Sequence, residues 1–147
     1  MKVVKIKTHQ DLRMCAEMYA AISDPTFLPF DVEKGIKKLA EMRRQGFVRM
    51  LVDDSGTPLA WIVAVKATPH HLHYPVMQQL YYCSDSHGAL AYRCVRLLHE
   101  SLVTEGIRVG AEYAMSTGSH MDEGNVFARI LEKSGWQRKG HTAVLKL

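Results

Sequence analysis

The feature of this sequence that most constrains its fold is the order in which strand-like and helical hydrophobic patterns follow one another. The chain begins with a period-two alternation, in which Val4 and Ile6 oppose Lys5 and Lys7, as in a strand with one wetter face. The patterns that follow complete the order β, α, α, β, β, β, α, β, α, β. This order predicts a mixed α/β fold, with an antiparallel meander first and crossover helices after it.

Two of the predicted helices begin with capping residues. Thr8 and Asp11 have the spacing of a capping box, with Asp in place of the usual Glu or Gln, and predict a helix directly after them. Asp31 can cap a second helix, which is predicted to end at Gly46. The other predicted elements are a hairpin over 48–65, a strand over 76–83, a helix over about 88–105, a strand over 107–116 and a final helix and strand.

Length and composition favour one compact, water-soluble domain. The chain has 147 residues, of which 47% are hydrophobic and 23% charged, so residues 1–147 are expected to form a single domain around one core. The longest apolar runs fall far short of the roughly 20 residues that a transmembrane helix requires. Because the amino terminus lacks the apolar core and cleavage site of a secretory signal, a cytoplasmic location without a membrane partner is expected.

Cysteine and histidine spacing argues against disulfides and bound metal. Cys15, Cys83 and Cys94 are widely spaced and flanked by apolar residues, so they are expected to be small, reduced and buried thiols. Three histidines share the loop over 67–75, but no nearby carboxylate or cysteine completes a ligand set, and the spacing lacks helical i, i+4 geometry. No metal is expected.

The net charge of +4 gives a weak preference for anions. The basic residues are dispersed in pairs, such as Lys37 with Lys38 and Arg43 with Arg44. Such pairs could bind nucleic acid or a phosphate-bearing cofactor, but most of them are explained as solvent-exposed residues on helix faces. Nucleic acid is therefore not an expected partner.

The last quarter of the chain has a distinctive order of features. Asn125 is followed by the helical stretch RILEKSGW at 129–136 and by a final apolar strand over 143–147. This order resembles the end of the GNAT acetyltransferases, which often close with an Asn-initiated helix, a Leu-Glu-Lys-x-Gly-aromatic exit and one or two strands. The element order is similar along nearly the whole chain. The resemblance implies a GNAT-like acyl-CoA N-acyltransferase fold, with a central twisted mixed sheet of six to seven strands and about four helices.

The resemblance also implies that acetyl-CoA is the co-substrate. In GNAT enzymes its pyrophosphate lies on backbone amides at the start of the helix after the fourth strand, in a loop patterned Arg/Gln-x-x-Gly-x-Gly/Ala. The matching stretch here is 80–93, and an ungapped match places Gly88 on the first glycine. The later glycine positions then fall on Leu90 and Tyr92, whose side chains would crowd the phosphates. Leu90 aligns with Leu97 along the helix and is expected to be buried.

A shifted match of the same loop remains open. It keeps small residues at Ser86, Ala89 and Ala91 but loses the leading Arg or Gln. Either Ser84 or Ser86 could cap this helix, and a capped helix start that binds no ligand is the alternative. The expected cofactor-binding residues are Tyr82, Cys83, Ser86, His87, Gly88, Ala89 and Asn125.

Acetyl transfer needs a neutral amine, a polarised thioester carbonyl and a proton for the departing thiolate unless it is simply released. GNAT members often place a base carboxylate on the fourth or fifth strand and polarise the carbonyl with a fourth-strand amide. The fourth strand here offers Gln78 and Gln79, which cannot accept a proton. On the predicted fifth strand Glu112 is the single carboxylate, and burial would raise its pKa toward a useful range. His120, in the following loop, is a second candidate base.

The tyrosine with which GNAT members often protonate the sulfur is missing from the last helix. In the match through 129–136 its position falls on Leu131, which cannot donate a proton. Tyr82, Tyr81 and Tyr113 lie on strands that would flank the cofactor and can compensate, although half-buried strand positions favour aromatic residues for packing alone. The predicted catalytic residues are Glu112, His120 and Tyr82.

Together these features predict an N-acetyltransferase that moves an acetyl group from acetyl-CoA to a primary amine by direct attack in a ternary complex. The acceptor amine is unspecified, and by analogy Phe27, Leu28, Phe30 and Tyr74 border its site. The alternative is a GNAT-fold protein that has lost catalysis and serves in binding or structure, encoded by a virus or mobile element. Exposed terminal strands also permit a homodimer.

Overall fold

The computed structural model describes residues 1–23, 26, 29–68, 74–84, 86–117, 126–140 and 142–147. Within these residues the chain forms seven strands and four helices in the predicted order, with one additional strand in a hairpin near the end. The strands are β1 (Lys2–Lys5), β2 (Gly46–Val52), β3 (Pro58–Ala67), β4 (Val76–Ser84), β5 (Tyr113–Thr117), β6 (Gln137–Lys139) and β7 (Thr142–Lys146). The helices are α1 (His9–Ile22), α2 (Val32–Gln45), α3 (Gly88–Arg108) and α4 (Val126–Lys133).

One mixed sheet organises these elements. Its strand order is β1-β2-β3-β4-β5-β7-β6, and each neighbouring pair is antiparallel except β4 and β5, which run parallel. Helices α1 and α2 cover one face of the sheet, and α3 and α4 cover the other. The predicted mixed α/β fold is confirmed. None of the helices in the described part of the chain combines the length and apolarity needed to cross a membrane.

Strand β3 shows why a continuous apolar run suits the middle of this sheet. Ala60, Ile62 and Ala64 belong to the core under α3 and α4, whereas Trp61 and Val63 belong to the core under α1 and α2. Because side chains alternate between the two faces of a strand, a strand covered on both faces needs apolar residues at every position. The predicted hairpin is confirmed, and its apolar run from 59 to 65 lies in a strand that is covered on both faces.

Both predicted helix caps are present. Thr8 Oγ1 accepts a hydrogen bond from Asp11 N at 3.1 Å, and the Asp11 carboxylate accepts from Thr8 N at 2.9 Å, which completes the capping box at the start of α1. Asp31 Oδ1 accepts from Lys34 N at 3.1 Å at the start of α2. These short-range bonds fix where the two helices begin.

Helix α3 is longer than predicted, and β5 begins later. The predicted strand from residue 107 is wrong over 107–112, because α3 continues through Arg108 and β5 starts at Tyr113. Gly106 does not end the helix. A Cβ at Gly106 would lie 2.7 Å from Leu147 Cδ1 and 3.2 Å from Met77 Cβ, so glycine lets the helix pack closely on its neighbours. The chain turns instead at Gly110, where φ is +72°.

Helix α2 ends at Gly46, as predicted, but this glycine is not in the left-handed conformation of a typical glycine cap. Its φ of −163° is extended backbone, and it is already the first residue of β2. A Cβ added here would lie 2.0 Å from the carbonyl oxygen of Ala64 on β3. Glycine is therefore required by the close approach of two strands and not by a left-handed turn.

We expect Gly46→Ala to lower the free energy of unfolding by about 2 kcal/mol, because the clash is with rigid backbone and must be relieved by moving a strand. Urea denaturation checks this value. Gly106→Ala is the matched control, since its close contacts are side-chain atoms and alanine favours the helix by about 1 kcal/mol. Equal losses in the two variants would contradict the strand-contact explanation.

Candidate functional site

The parallel strands β4 and β5 pair over only part of their length. Residues 76–79 of β4 face 113–116 of β5, and the last pair is Gln79 with Ser116. Beyond this pair β4 continues through Ser84 and remains bonded to β3. We call residues 80–84 the open edge of β4, because their β5-facing side pairs with no strand in the described part of the chain.

A β-bulge lies where the open edge begins. On β3, Val63 faces Tyr81 while the next residue, Ala64, faces Gln79, so Leu80 is an extra residue on β4. A bulge bends its strand and takes backbone groups out of the regular hydrogen-bond ladder. The open edge therefore presents backbone N–H groups that need another acceptor.

The side chain of Gln79 supplies that acceptor. It is fully buried, and its amide end lies 2.6 Å from Ser116 Oγ. With the amide oriented to satisfy its whole surroundings, Oε1 accepts from Tyr81 N–H at 3.1 Å and from Tyr82 N–H at 3.3 Å, while Nε2 donates to Ser116 Oγ. Gln79 thus joins the bulge of β4 to β5.

The same hydrogen-bonded chain continues into α3. Ser116 Oγ lies 3.5 Å from His99 Nε2, and His99 Nδ1 lies 2.9 Å from the carbonyl oxygen of Val95. With a proton on Nδ1, the ring donates to Val95 and accepts from Ser116, which agrees with the orientation of Gln79. Gln79, His99 and Ser116 are the buried polar residues of the described chain, and all belong to this network.

The sequence analysis excluded Gln79 as a base without predicting its buried hydrogen bonds, and it did not identify His99 or Ser116. A signal was available for His99, because it lies beside the apolar stripe of Val95, Leu98 and Leu102 and a polar residue there needs a buried partner. Ser116 has no comparable signal, since a serine near a strand end is ordinary.

Tyr82 lies on the open edge, on the face covered by α3 and α4. Its ring packs 5.9 Å from the His99 ring and 5.3 Å from the Phe127 ring, measured between centroids. The hydroxyl is buried and forms no hydrogen bond with any described residue. Burial raises the pKa of Tyr82. The nearby Ser84 side chain lowers this pKa by a smaller amount, although the two side chains do not form a hydrogen bond. The phenol therefore remains a neutral donor at physiological pH.

The start of α3 lies close to the open edge along the chain. Its N-cap residue, His87, makes no side-chain capping bond. Neither predicted serine cap forms, because Ser84 Oγ accepts from Ser86 N at 3.1 Å and Ser86 Oγ donates to the carbonyl oxygen of Leu59 at 3.4 Å. Among the described residues, no side chain therefore caps the first N–H groups of α3.

The surroundings of Gly88 are open. Its φ is +59°, and no described atom beyond its chain neighbours lies within 4 Å of a Cβ added there. Leu90 is 37% exposed and Tyr92 is 38% exposed, so the predicted burial of Leu90 is wrong. The buried stripe of α3 begins only at Cys94, because the first turn of the helix extends past the core. Neither side chain comes within 4 Å of a Cβ added at Gly88.

Two other predicted site residues lie away from this region. Glu112 is exposed and precedes β5, so its predicted burial on that strand is wrong. It lies at the end of β5 opposite Ser116, roughly 13 Å away along the chain. Cys83 is buried in the core under α1 and α2, so its side chain faces away from Tyr82. All three cysteines are buried and none forms a disulfide, and burial raises the pKa of Cys15 to about 12.

Some predictions fall on residues outside the described part of the chain. These are Phe27, Leu28, His70, His71, His73, His120 and Asn125. Among the described residues, no three histidine, cysteine or carboxylate side chains are grouped as metal ligands. The roles of His120 and Asn125, and the expected absence of metal, stay predictions.

A cavity of about 710 Å³ lies on the opposite face of the sheet, between α1, α2 and the strands. Its walls include Tyr19, Phe30, Trp61 and Tyr81, with ring centroids of Tyr19 and Phe30 4.8 Å apart and those of Tyr19 and Tyr81 6.4 Å apart. Tyr81 belongs both to this cavity and to the open edge of β4. The cavity therefore reaches the bulge from the side away from α3.

The arrangement defines a class of fold. Within the described residues, a mixed sheet of seven strands with four helices is the architecture that the sequence resemblance predicted. Solved N-acetyltransferase structures match the chain over nearly its whole length, so the GNAT fold is confirmed. The sequence matches no model of a protein family and no curated protein.

Three of the solved structures illustrate the match. An N-acetyltransferase from Staphylococcus aureus Mu50 has a TM-score of 0.76 at 14% identity, covering 99% of this chain and 97% of its own. The ribosomal-protein-alanine N-acetyltransferase from Brucella melitensis has a TM-score of 0.76 at 13% identity, covering 100% of both chains. The yncA structure from Salmonella typhimurium, which contains its cofactor acetyl-CoA, has a TM-score of 0.74 at 12% identity, covering 100% and 94%.

Proposed function

We propose that this protein transfers an acetyl group from acetyl-CoA to a primary amine. The observation that carries the proposal is the open edge of β4 beside the uncapped start of α3. The open edge can bind the extended, acyl-carrying arm of the cofactor, and the helix start can bind a phosphate. Solved structures with the same fold include one that contains acetyl-CoA, which supports this choice of cofactor.

The pyrophosphate is proposed to bind the amides from His87 to Ala89, because the N–H of Ser86 already donates to Ser84 Oγ. Helix starts attract anions because their N–H groups are unpaired and carry the positive end of the helix dipole. Gly88 and Ala89 add little bulk, and the space around Gly88 is open. The thioester would then lie along the open edge, with its carbonyl oxygen near the N–H of Tyr82.

The chemistry needs no covalent intermediate. The amine nitrogen attacks the thioester carbon, the C–N bond forms, the C–S bond breaks, and CoA leaves as the thiolate, which takes up the proton that the nitrogen loses as it becomes an amide. The Tyr82 N–H stabilises the carbonyl oxygen as negative charge develops, and the buried Tyr82 hydroxyl donates a hydrogen bond to the departing sulfur. The amine must first lose a proton, and His120 and Glu112 are the candidate bases. The position of Glu112 favours His120.

The acceptor is proposed to enter through the cavity under α1 and α2. Its aromatic walls suit an amine carried on an apolar or aromatic body. Two lysines, Lys34 and Lys38, and one carboxylate, Asp31, also line this cavity. This excess of positive charge disfavours a polycation. The nucleophilic nitrogen would lie near Tyr81, where the cavity reaches the open edge.

A binding or structural protein that has lost catalysis is the second candidate. It is favoured by the Gln79 side chain, which occupies the two amides that would polarise a thioester. The described residues also supply no carboxylate on the open edge of β4. On this account the fold would bind CoA without transferring the acetyl group.

Thiol release from acetyl-CoA in the presence of a panel of amines separates the two candidates. We expect kcat/KM for 2-phenylethylamine to exceed that for spermidine by at least about tenfold, because burial of an aromatic body stabilises binding by roughly 1.5–3 kcal/mol. Mass spectrometry of the N-acetylated product confirms the reaction. Saturable binding of acetyl-CoA without acetylation of any amine or peptide in the panel would favour the second candidate.

A further inference from the structure

The position of Gln79 has a direct consequence for a bound thioester. With its amide in the orientation that satisfies the surrounding donors and acceptors, Oε1 accepts hydrogen bonds from the N–H groups of Tyr81 and Tyr82, at 3.1 and 3.3 Å. A thioester oxygen bound at the open edge needs a donor in the same place. Because one N–H cannot serve two acceptors at full strength, the side chain and the thioester compete for it.

We propose that Gln79 stands in for the thioester carbonyl in the cofactor-free protein and gives up the N–H of Tyr82 when acetyl-CoA binds. The inference rests on the proposed acetyl transfer. No covalent bond changes in this step: the hydrogen bond from Tyr82 N–H to Gln79 Oε1 breaks, and one from Tyr82 N–H to the thioester oxygen forms. After CoA leaves, the side chain returns to the amide.

The geometry favours release of Tyr82 over release of Tyr81. The bond to Tyr82 is the longer of the two, and Tyr82 lies farther along the open edge. The other end of the Gln79 amide is held 2.6 Å from Ser116 Oγ, so the side chain keeps an anchor on β5 during the exchange. Ser116 in turn contacts His99 Nε2 at 3.5 Å.

A stand-in also explains why a buried glutamine is present at this position. Two N–H groups left without an acceptor at the bulge would destabilise the free protein, and an apolar side chain at position 79 could accept from neither. Glutamine satisfies them with a neutral oxygen. An incoming carbonyl can displace this oxygen more easily than it could displace a carboxylate, which would hold the N–H groups more strongly. Gln79 is thus a positioning residue that holds the bulge ready for the thioester.

The test compares two ligands that differ only at the thioester. Kd values for acetyl-CoA and for CoA are measured by calorimetry with the wild-type protein and with Gln79→Met, which keeps the chain length but cannot accept these bonds. CoA has no thioester carbonyl. The ratio of the Kd of CoA to the Kd of acetyl-CoA therefore isolates the competition between Gln79 Oε1 and the thioester oxygen. We expect this ratio to rise about tenfold in the variant, the effect of one freed hydrogen bond.

Controls separate the competition from a general loss of structure. Gln78→Met, at the neighbouring position on the strand, is expected to leave the ratio unchanged. Ser116→Ala removes the anchor of Gln79, and we expect a smaller rise in the same direction; this variant decides the question if Gln79→Met does not fold. A ratio that stays constant or falls in both Gln79→Met and Ser116→Ala would overturn the inference while leaving CoA binding intact. Wild-type protein that binds neither ligand would instead overturn the proposed function itself, and this inference with it.

Discussion

Replacing Gly88 with Trp is expected to weaken acetyl-CoA binding by at least about 100-fold. The proposed pyrophosphate site is formed by the first amides of α3, and the space beside Gly88 is open. An indole ring there occupies the volume that the phosphates need. Each charge-assisted hydrogen bond that is lost costs roughly 1.5–3 kcal/mol, so the loss of two produces the effect. Calorimetric titration with acetyl-CoA measures it.

The control for this variant must carry the same backbone strain. Gly140 has the same φ of +59° and equally open surroundings, and it lies in the turn between β6 and β7. Gly140→Trp therefore strains the backbone as Gly88→Trp does, but leaves the start of α3 unchanged. Equal loss of binding in both variants, or tight binding retained in Gly88→Trp, would show that the helix start is not the phosphate site.

Replacing Tyr82 with Phe is expected to lower kcat by roughly 10- to 100-fold and to stabilise the protein at the same time. The hydroxyl is buried and has no hydrogen-bond partner among the described residues. Removing an unsatisfied buried hydroxyl leaves the packing of the ring in place and raises the free energy of unfolding by about 1 kcal/mol. Steady-state kinetics and urea denaturation of the same preparation give both values.

A gain in stability together with a loss of rate is the signature of a group kept for function. Tyr113→Phe is the matched control, because Tyr113 lies at the far end of β5, where its ring packs against Tyr74 at 5.7 Å. We expect its kcat to stay close to that of the wild-type protein. An unchanged kcat in Tyr82→Phe, or the same fall in both variants, contradicts the role given to the Tyr82 hydroxyl.

The order of elements could be predicted from the sequence because it depends on short-range patterns. The bonds of Thr8 and Asp31 to their own helices are set within three residues, and the apolar run of β3 reflects its cover on both faces. The start of β5 was misplaced because Gly106 suggests a helix end. In the structure this glycine instead makes room for Leu147 and Met77, which are distant in sequence.

The candidate site could be predicted only in part, for the same reason. Gly88 follows from the match of residues 80–93 to the GNAT loop pattern, which is local in sequence. Glu112 in a mostly apolar stretch suggests a buried carboxylate, yet the strand begins one residue later and leaves it exposed. The network of Gln79, Ser116 and His99 joins β4, β5 and α3. The spacing of these residues along the chain does not predict that they are in contact.

The central claim is that this fold holds acetyl-CoA at the open edge of β4 and the start of α3. Calorimetric titration of the wild-type protein with acetyl-CoA tests it most directly, since binding precedes any choice of acceptor. We predict one site with a Kd in the micromolar range. A titration that shows no binding at millimolar acetyl-CoA would contradict the account and leave a GNAT fold used for another purpose.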